Sequence, residues 1–161
     1  MKFLAALTLG LATAATIEKP QDVDQDVITD PALDKTFKQC DLASQLLGYG
    51  GVYTKSNIND WICLTYYESS WTTSSKGGPN YDGSYDWGLF QVNDYYWCYD
   101  SNNPKYNDCN LDCSKLVDSN IDDDQKCASL IYKRHGFDAW YGWINNCKGK
   151  DLSSWTSSCN L

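Results

Sequence analysis

Of 161 residues, one is histidine, one is methionine and four are proline, and no Cys-x-x-Cys occurs. Each scarcity removes a chemistry. The single histidine, His135, lies in the basic stretch Lys133-Arg134-His135. No Gly-x-Ser-x-Gly elbow accompanies it, so a Ser–His–Asp hydrolase has nowhere to form. With Cys109-x3-Cys113 as the closest cysteine pair and no second histidine, structural zinc finds little support. There is no glycine-rich phosphate loop and no Asn-x-Ser/Thr glycosylation site. After the first fifteen residues no apolar run nears the roughly 20 residues needed to span a bilayer. Positive charge is also short. Thirteen Lys+Arg face 21 Asp+Glu, a net of −8, which argues against binding nucleic acid or an anionic membrane. Glutamate nearly vanishes after residue 34, where Glu68 stands against fourteen aspartates.

What remains is rich in core-forming residues. Apolar residues make up 42% and aromatics 14%, too many for a disordered chain and enough for one core. Lys2 followed by the apolar run 3–12 and small residues at 12–15 reads as a secretory signal, with cleavage after Ala14 or Ala15. Residues 16–34 form an acidic spacer or propeptide with two prolines and no aromatic. Residues 35–161 are the folded domain, still at −4 with 11 basic and 15 acidic residues. The product is expected to be secreted and to act as a monomer. Eight cysteines, all after the signal, read as four disulfides in an oxidising compartment. They admit about a hundred pairings, and spacing alone chooses none.

Apolar periodicity predicts four helices. The first carries Phe37, Cys40, Ala43, Leu46 and Leu47 and is expected to stop at Gly48. Asp60 is expected to cap a second with Trp61, Leu64 and Glu68. A third is expected from about Asp118 to Lys133. Asp138 is expected to cap a fourth carrying Trp140, Trp143, Ile144 and Cys147. Between the second and third, Asp82-Gly83 predicts a hairpin turn into a strand with Tyr85, Trp87, Leu89, Phe90 and Val92. Alternation puts Ser84, Asp86, Gly88 and Phe90 on one side.

Two carboxyls stand out. Glu68 is flanked by Tyr66, Tyr67 and Trp71. An apolar wall disfavours its charged form and suits a general acid. Asp86 has Asn80, Gln91 and Asn93 within reach to hydrogen-bond it and keep it ionised. Either residue alone is equally a solvated surface group, but together they make the carboxyl pair that glycoside hydrolysis uses. Tyr96, Trp97 and Trp140 are candidate sugar platforms or core residues.

At this point the chain resembles the C-type lysozymes, of the insect kind. Trp61-Ile-Cys-Leu-x-x-x-Glu-Ser69 resembles the helix with the catalytic glutamate. Asp82-Gly-Ser-x-Asp-x-Gly-Leu-Phe-Gln-Val-Asn93 resembles the hairpin with the catalytic aspartate. The stretch from Ile131 to Trp143 resembles an insect signature, and the cysteine gaps of 23, 35, 11, 4, 14, 20 and 12 follow the family. The resemblance implies an α+β fold: a mostly helical lobe, a small antiparallel β lobe and a cleft between. It implies the pairs Cys40–Cys159, Cys63–Cys147, Cys98–Cys113 and Cys109–Cys127. It implies retaining hydrolysis of the β-1,4 bond between N-acetylmuramic acid and N-acetylglucosamine in peptidoglycan. Glu68 would be the acid and Asp86 the nucleophile or stabiliser. Asn80, Gln91, Asn93, Tyr96, Trp97, Ala139 and Trp140 would serve the substrate, and no cofactor is required.

The chain also departs from the family. Tyr96 stands where vertebrate members often carry Trp, and Lys133-Arg134-His135 occupies a loop that elsewhere holds an acidic sugar ligand. Asp118, Asp123 and Asp124 match the spacing of the family's calcium site, with backbone carbonyls of Lys115 and Asn120 completing it. Helix capping accounts for such aspartates without a metal. The −4 charge would repel anionic walls near neutrality, and protonation below about pH 5 would relieve that, which favours a digestive role. The alternative is a non-catalytic lysozyme-like protein that binds peptidoglycan or chitin.

Overall fold

Cross-links and short helices, more than sheet, hold the chain together. The structure, a computed structural model, describes residues 34–161. The expected signal at 1–15 and nearly all of the 16–34 spacer lie outside the described residues.

Helix α1, Gln39–Tyr49, buries Leu42, Ala43 and Leu46 on one side. It runs through Gly48 and stops at Gly50, whose φ of 76° lies in the region that favours glycine. Gly48 was expected to end it, but packing of Leu46 outweighs the modest cost of an interior glycine. Helix α2, Ile58–Ser69, buries Trp61, Ile62, Cys63, Leu64 and Thr65. Asp60 does not cap α2; it lies in the first turn and accepts the Trp143 Nε1 hydrogen at 2.9 Å. Ser70, at φ 52°, ends the helix in a left-handed turn.

Helix α3 is Asp122–His135, starting four residues later than expected. Its first turn holds Asp122, Asp123 and Asp124 and its last holds Lys133, Arg134 and His135, the order that complements the helix dipole. Helix α4 is short, Tyr141–Asn146. Asp138 does not cap it either: it sits in the 3-10 segment Gly136–Ala139 and pairs with Lys148 at 2.6 Å. Trp61 is fully buried at the centre, ringed by Tyr53, Phe90, Tyr132, Phe137 and Trp140.

The β lobe is a three-stranded antiparallel sheet of two-residue strands, β1 Lys76–Gly77, β2 Asp86–Trp87 and β3 Val92–Asn93, in that order. The longer strand expected through Val92 breaks at Gly88, whose positive φ turns the chain. A Cβ at Gly88 would lie 1.8 Å from the Leu116 carbonyl oxygen, so only glycine lets the two segments meet. Phe90 is carried into the core instead.

The four disulfides join the pairs that the resemblance implied: Cys40–Cys159, Cys63–Cys147, Cys98–Cys113 and Cys109–Cys127. The first two close long loops from α1 and α2 to the C-terminal third. The last ties the segment after the sheet to α3.

Candidate active site

Asp86 begins the middle strand, paired on one side with Gly77 and on the other with Asn93. Its Oδ2 accepts the Asn80 Nδ2 hydrogen at 2.8 Å and its Oδ1 accepts that of Asn93 at 2.8 Å. Both amides also reach Ser84 Oγ, at 3.1 and 2.9 Å, and Ser84 Oγ donates to Asp82 Oδ1 at 2.6 Å. Alternation had placed Ser84 beside Asp86; the structure adds that this buried hydroxyl fixes both amides that hold the carboxylate. The same hydroxyl and the Ser84 N–H pull the Asp82 carboxyl below its usual range.

Gln91 does not hydrogen-bond Asp86. Its Nε2 donates to the carbonyls of Gly88 at 2.9 Å and Ser75 at 3.2 Å. Gln91 adopts a positive φ of 48°, which turns its amide onto the backbone of the β2–β3 turn. Its Oε1 would lie 2.6 Å from a Cβ on Gly77, so the glycine there makes room for it.

Glu68 sits in the last turn of α2. Burial pushes its pKa above the ordinary carboxylate range, and the negative charge of Asp86 adds to the shift. The Gly142 N–H, donating to Oε1 at 2.8 Å, opposes it. Gly142 was not foreseen, since any residue supplies an N–H. The signal was the glycine itself: a Cβ there would stand 2.6 Å from Glu68 Oε1. Trp140 is buried, with Nε1 donating to the Phe90 carbonyl at 2.8 Å. It is therefore an anchor in the core and no open platform, and it fixes the chain just before Gly142.

Tyr96 and Trp97 follow β3 on a segment held by the Trp97 N–H to Asn93 carbonyl bond at 3.1 Å. Tyr96 is half exposed. The pair lines an open concavity of about 370 Å³ with Tyr106, Asp108, Arg134 and His135. Ala139 is exposed at the end of its 3-10 segment.

The three aspartates singled out for a cation lie within electrostatic reach of one another. Among the described residues no three acidic, His or Cys side chains stand together as a metal cluster. Asp118 Oδ1 accepts the Asn120 N–H at 2.8 Å. Asp123 and Asp124 are the unusual pair, since Asp123 Oδ1 and both Asp124 oxygens are buried without a hydrogen bond of good geometry. Burial raises both pKa values, Asp124's well above its usual range; Asp118 adds to both, and the Asp123 charge adds to Asp124's.

A carboxyl whose pKa burial raises, within electrostatic reach of a second carboxyl held by two amides, is equipment for acid-assisted cleavage of an acetal. The comparisons agree with that class. The C-type lysozyme/alpha-lactalbumin family matches residues 35–159. Lysozyme c-1 of Anopheles gambiae is 49% identical over 125 residues, covering 78% of this chain and 85% of the relative. Canine milk lysozyme in its apo form superposes with a TM-score of 0.74 at 41% identity, covering 79% of this chain and all of that one. A calcium-binding lysozyme from equine milk gives 0.72 at 42% identity, with coverage of 79% and 100%. The chain belongs to the C-type lysozyme/alpha-lactalbumin family. It is a lysozyme-type glycoside hydrolase.

Proposed function

We propose that the chain cleaves the β-1,4 bond between N-acetylmuramic acid and N-acetylglucosamine in peptidoglycan with retention of configuration. The observation that carries this is the unequal pair: Glu68, whose pKa burial raises, and Asp86, held by Asn80 and Asn93. Glu68 protonates the departing glycosidic oxygen while the C–O bond breaks. Asp86 attacks or stabilises the anomeric carbon, and Glu68 then takes a proton from the incoming water. Lysozyme is itself the type case of this two-carboxyl scheme, so the steps are carried over to these residues. Asn93, Tyr96, Trp97 and Ala139 contact the sugars, and Trp140 walls the site behind Glu68. The folded domain is 35–161, behind the 16–34 spacer or propeptide, in a chain secreted on removal of 1–15 and acting outside the cell as a monomer; four disulfides fit that compartment. The excess of acidic charge favours a digestive setting.

No cofactor takes part in the reaction. A structural calcium ion fits the buried, unpartnered oxygens of Asp123 and Asp124, which are hard donors with charge to offset. Asp118 and the carbonyls of Lys115 and Asn120 would complete the site, and the ion would supply stability alone. The test of function is lysis of bacterial walls by the wild type but not by Glu68→Gln, with the anomer released read by NMR. Wall binding without lysis would favour the non-catalytic alternative.

A further inference from the structure

Tyr96 and Trp97 border the 370 Å³ concavity, and its construction differs from the rest of this acidic chain. The rings of Tyr96 and Tyr106 are parallel to within 4°, with centroids 6.4 Å apart, and both are exposed. Tyr95 packs 4.6 Å from Tyr96, and Lys105 Nζ stands 5.6 Å from the Tyr95 ring. The Arg134 guanidinium lies 5.4 Å from the Trp97 ring, and His135 meets that ring edge-on at 5.7 Å. Arg134 also pairs with Asp108, both side chains being nearly half exposed.

This geometry is fixed by the backbone. Residues 106, 108 and 109 donate N–H groups to the carbonyls of 95, 96 and 97 at 3.1, 3.1 and 2.9 Å. The Cys109–Cys127 disulfide joins that segment to α3, whose last turn carries Arg134 and His135. Tyrosine rings offer stacking faces to a pyranose, which any hexosamine would use. A guanidinium adds selectivity, because it presents several N–H donors in a planar fork matched to a carboxylate. Asp108 occupies only part of that fork, and an exposed ion pair of this kind is weak and exchangeable.

We propose that Arg134 makes this concavity, beside the sugar contacts the lysozyme reading already gives to Tyr96 and Trp97, prefer an amino sugar bearing a carboxylate over a neutral one. The proposal deepens the lysozyme reading and rests on it. A carboxylate enters as a guest of Arg134 by displacing or sharing with Asp108, while Tyr96 and Tyr106 hold the ring. The carboxylate has two sources in peptidoglycan, the lactyl ether of the muramic ring and the peptide stem.

The test compares KM on four glycans of equal length: peptide-free strands with free lactyl carboxylates, the same strands with those groups amidated, strands bearing peptide stems, and a chitin oligomer. The expected wild-type KM is roughly fivefold lower for a carboxylate-bearing strand than for its amidated form, the scale of one half-exposed charged hydrogen bond. Whichever of the lactyl and stem strands shows that advantage identifies the source. Arg134→Gln should bring the ratio to about one, Arg134→Lys should keep part of it, and Asp108→Asn should raise it by freeing the fork. A ratio unchanged in Arg134→Gln overturns the proposal. So does a shift of the same sign in Arg134→Gln and Asp108→Asn, which a merely structural ion pair would give. Binding of the same glycans, read from tryptophan fluorescence, gives the ratios independently of turnover. A wild type that binds selectively but cleaves nothing would sink the hydrolytic reading while sustaining this one.

Discussion

Replacing Glu68 by Gln should abolish activity and stabilise the protein at neutral pH, and the two effects have one cause. The Gln side chain keeps shape and can still accept the Gly142 N–H that now bonds Oε1 at 2.8 Å. It cannot give up a proton to a leaving oxygen. General acid catalysis contributes about 10²–10⁴ in rate, so kcat should fall at least about a hundredfold.

Stability moves the other way. Burial is the largest influence on Glu68 and raises its pKa, with Asp86 adding to the rise. A carboxyl whose pKa is raised on folding contributes stability that is present at low pH and lost as pH climbs through the raised value. Above that raised value the wild type carries a buried charge that Gln does not. For one partly buried group, allowing for solvent screening, the relief is about 1 kcal/mol, or about 3–5 °C in Tm. Calorimetry from pH 3 to 8 should show no difference at the acid end and a gain for Glu68→Gln that grows and then levels. A constant Tm difference at every pH, or retention of lysis, would refute this account of Glu68.

Asp86→Asn should cost roughly a hundredfold or more in kcat while Tm changes little, because Asn80 or Asn93 can rotate its amide to suit the new side chain; an activity assay paired with a melt decides it. Trp140→Phe should lower stability by about 1–3 kcal/mol, since it leaves the buried Phe90 carbonyl unpaired, and urea unfolding reads the loss. Millimolar calcium in place of EDTA should raise Tm near pH 7 by mass action. Asp124→Asn should raise Tm in EDTA, by removing a buried repelled carboxylate, and lower it in calcium; a Tm indifferent to calcium leaves only the helix-start role for these aspartates. Wall lysis should peak below about pH 5 at low salt, and an optimum above pH 7 would remove the argument from net charge.

Local chemistry was legible where local rules decide the outcome. Asp86 with Asn80, Asn93 and Ser84 follows from one turn and strand alternation. The glutamate in an aromatic stretch follows from composition. What was not legible depends on distant partners. Asp60 looks like a helix cap, but Trp143, 83 residues on, claims its carboxylate. Asp138 looks like a cap and instead meets Lys148. Gly48 looks like a stop, and burial of Leu46 carries the helix past it. Gln91 looks like a ligand of Asp86, and its positive φ turns the amide onto the turn backbone. Gly142 carried no side chain to read, though its glycine is what lets α4 approach Glu68.

The electrostatics of the chain work at two ranges, and salt separates them. Over the whole domain the −4 charge acts on approach, pushing anionic walls away over about a Debye length, roughly 8 Å at physiological ionic strength. At the outer pocket the Arg134 cation acts only on a strand already seated. Salt screens the first and so speeds association; it also weakens the second and so speeds release. Lysis of whole walls should therefore rise and then fall with salt, while a neutral chitin oligomer, which carries no charge for either range to act on, should show neither limb. The rising limb belongs to the acidic surface as a whole and should survive Arg134→Gln. The falling limb belongs to one side chain and should be flattened by the same substitution.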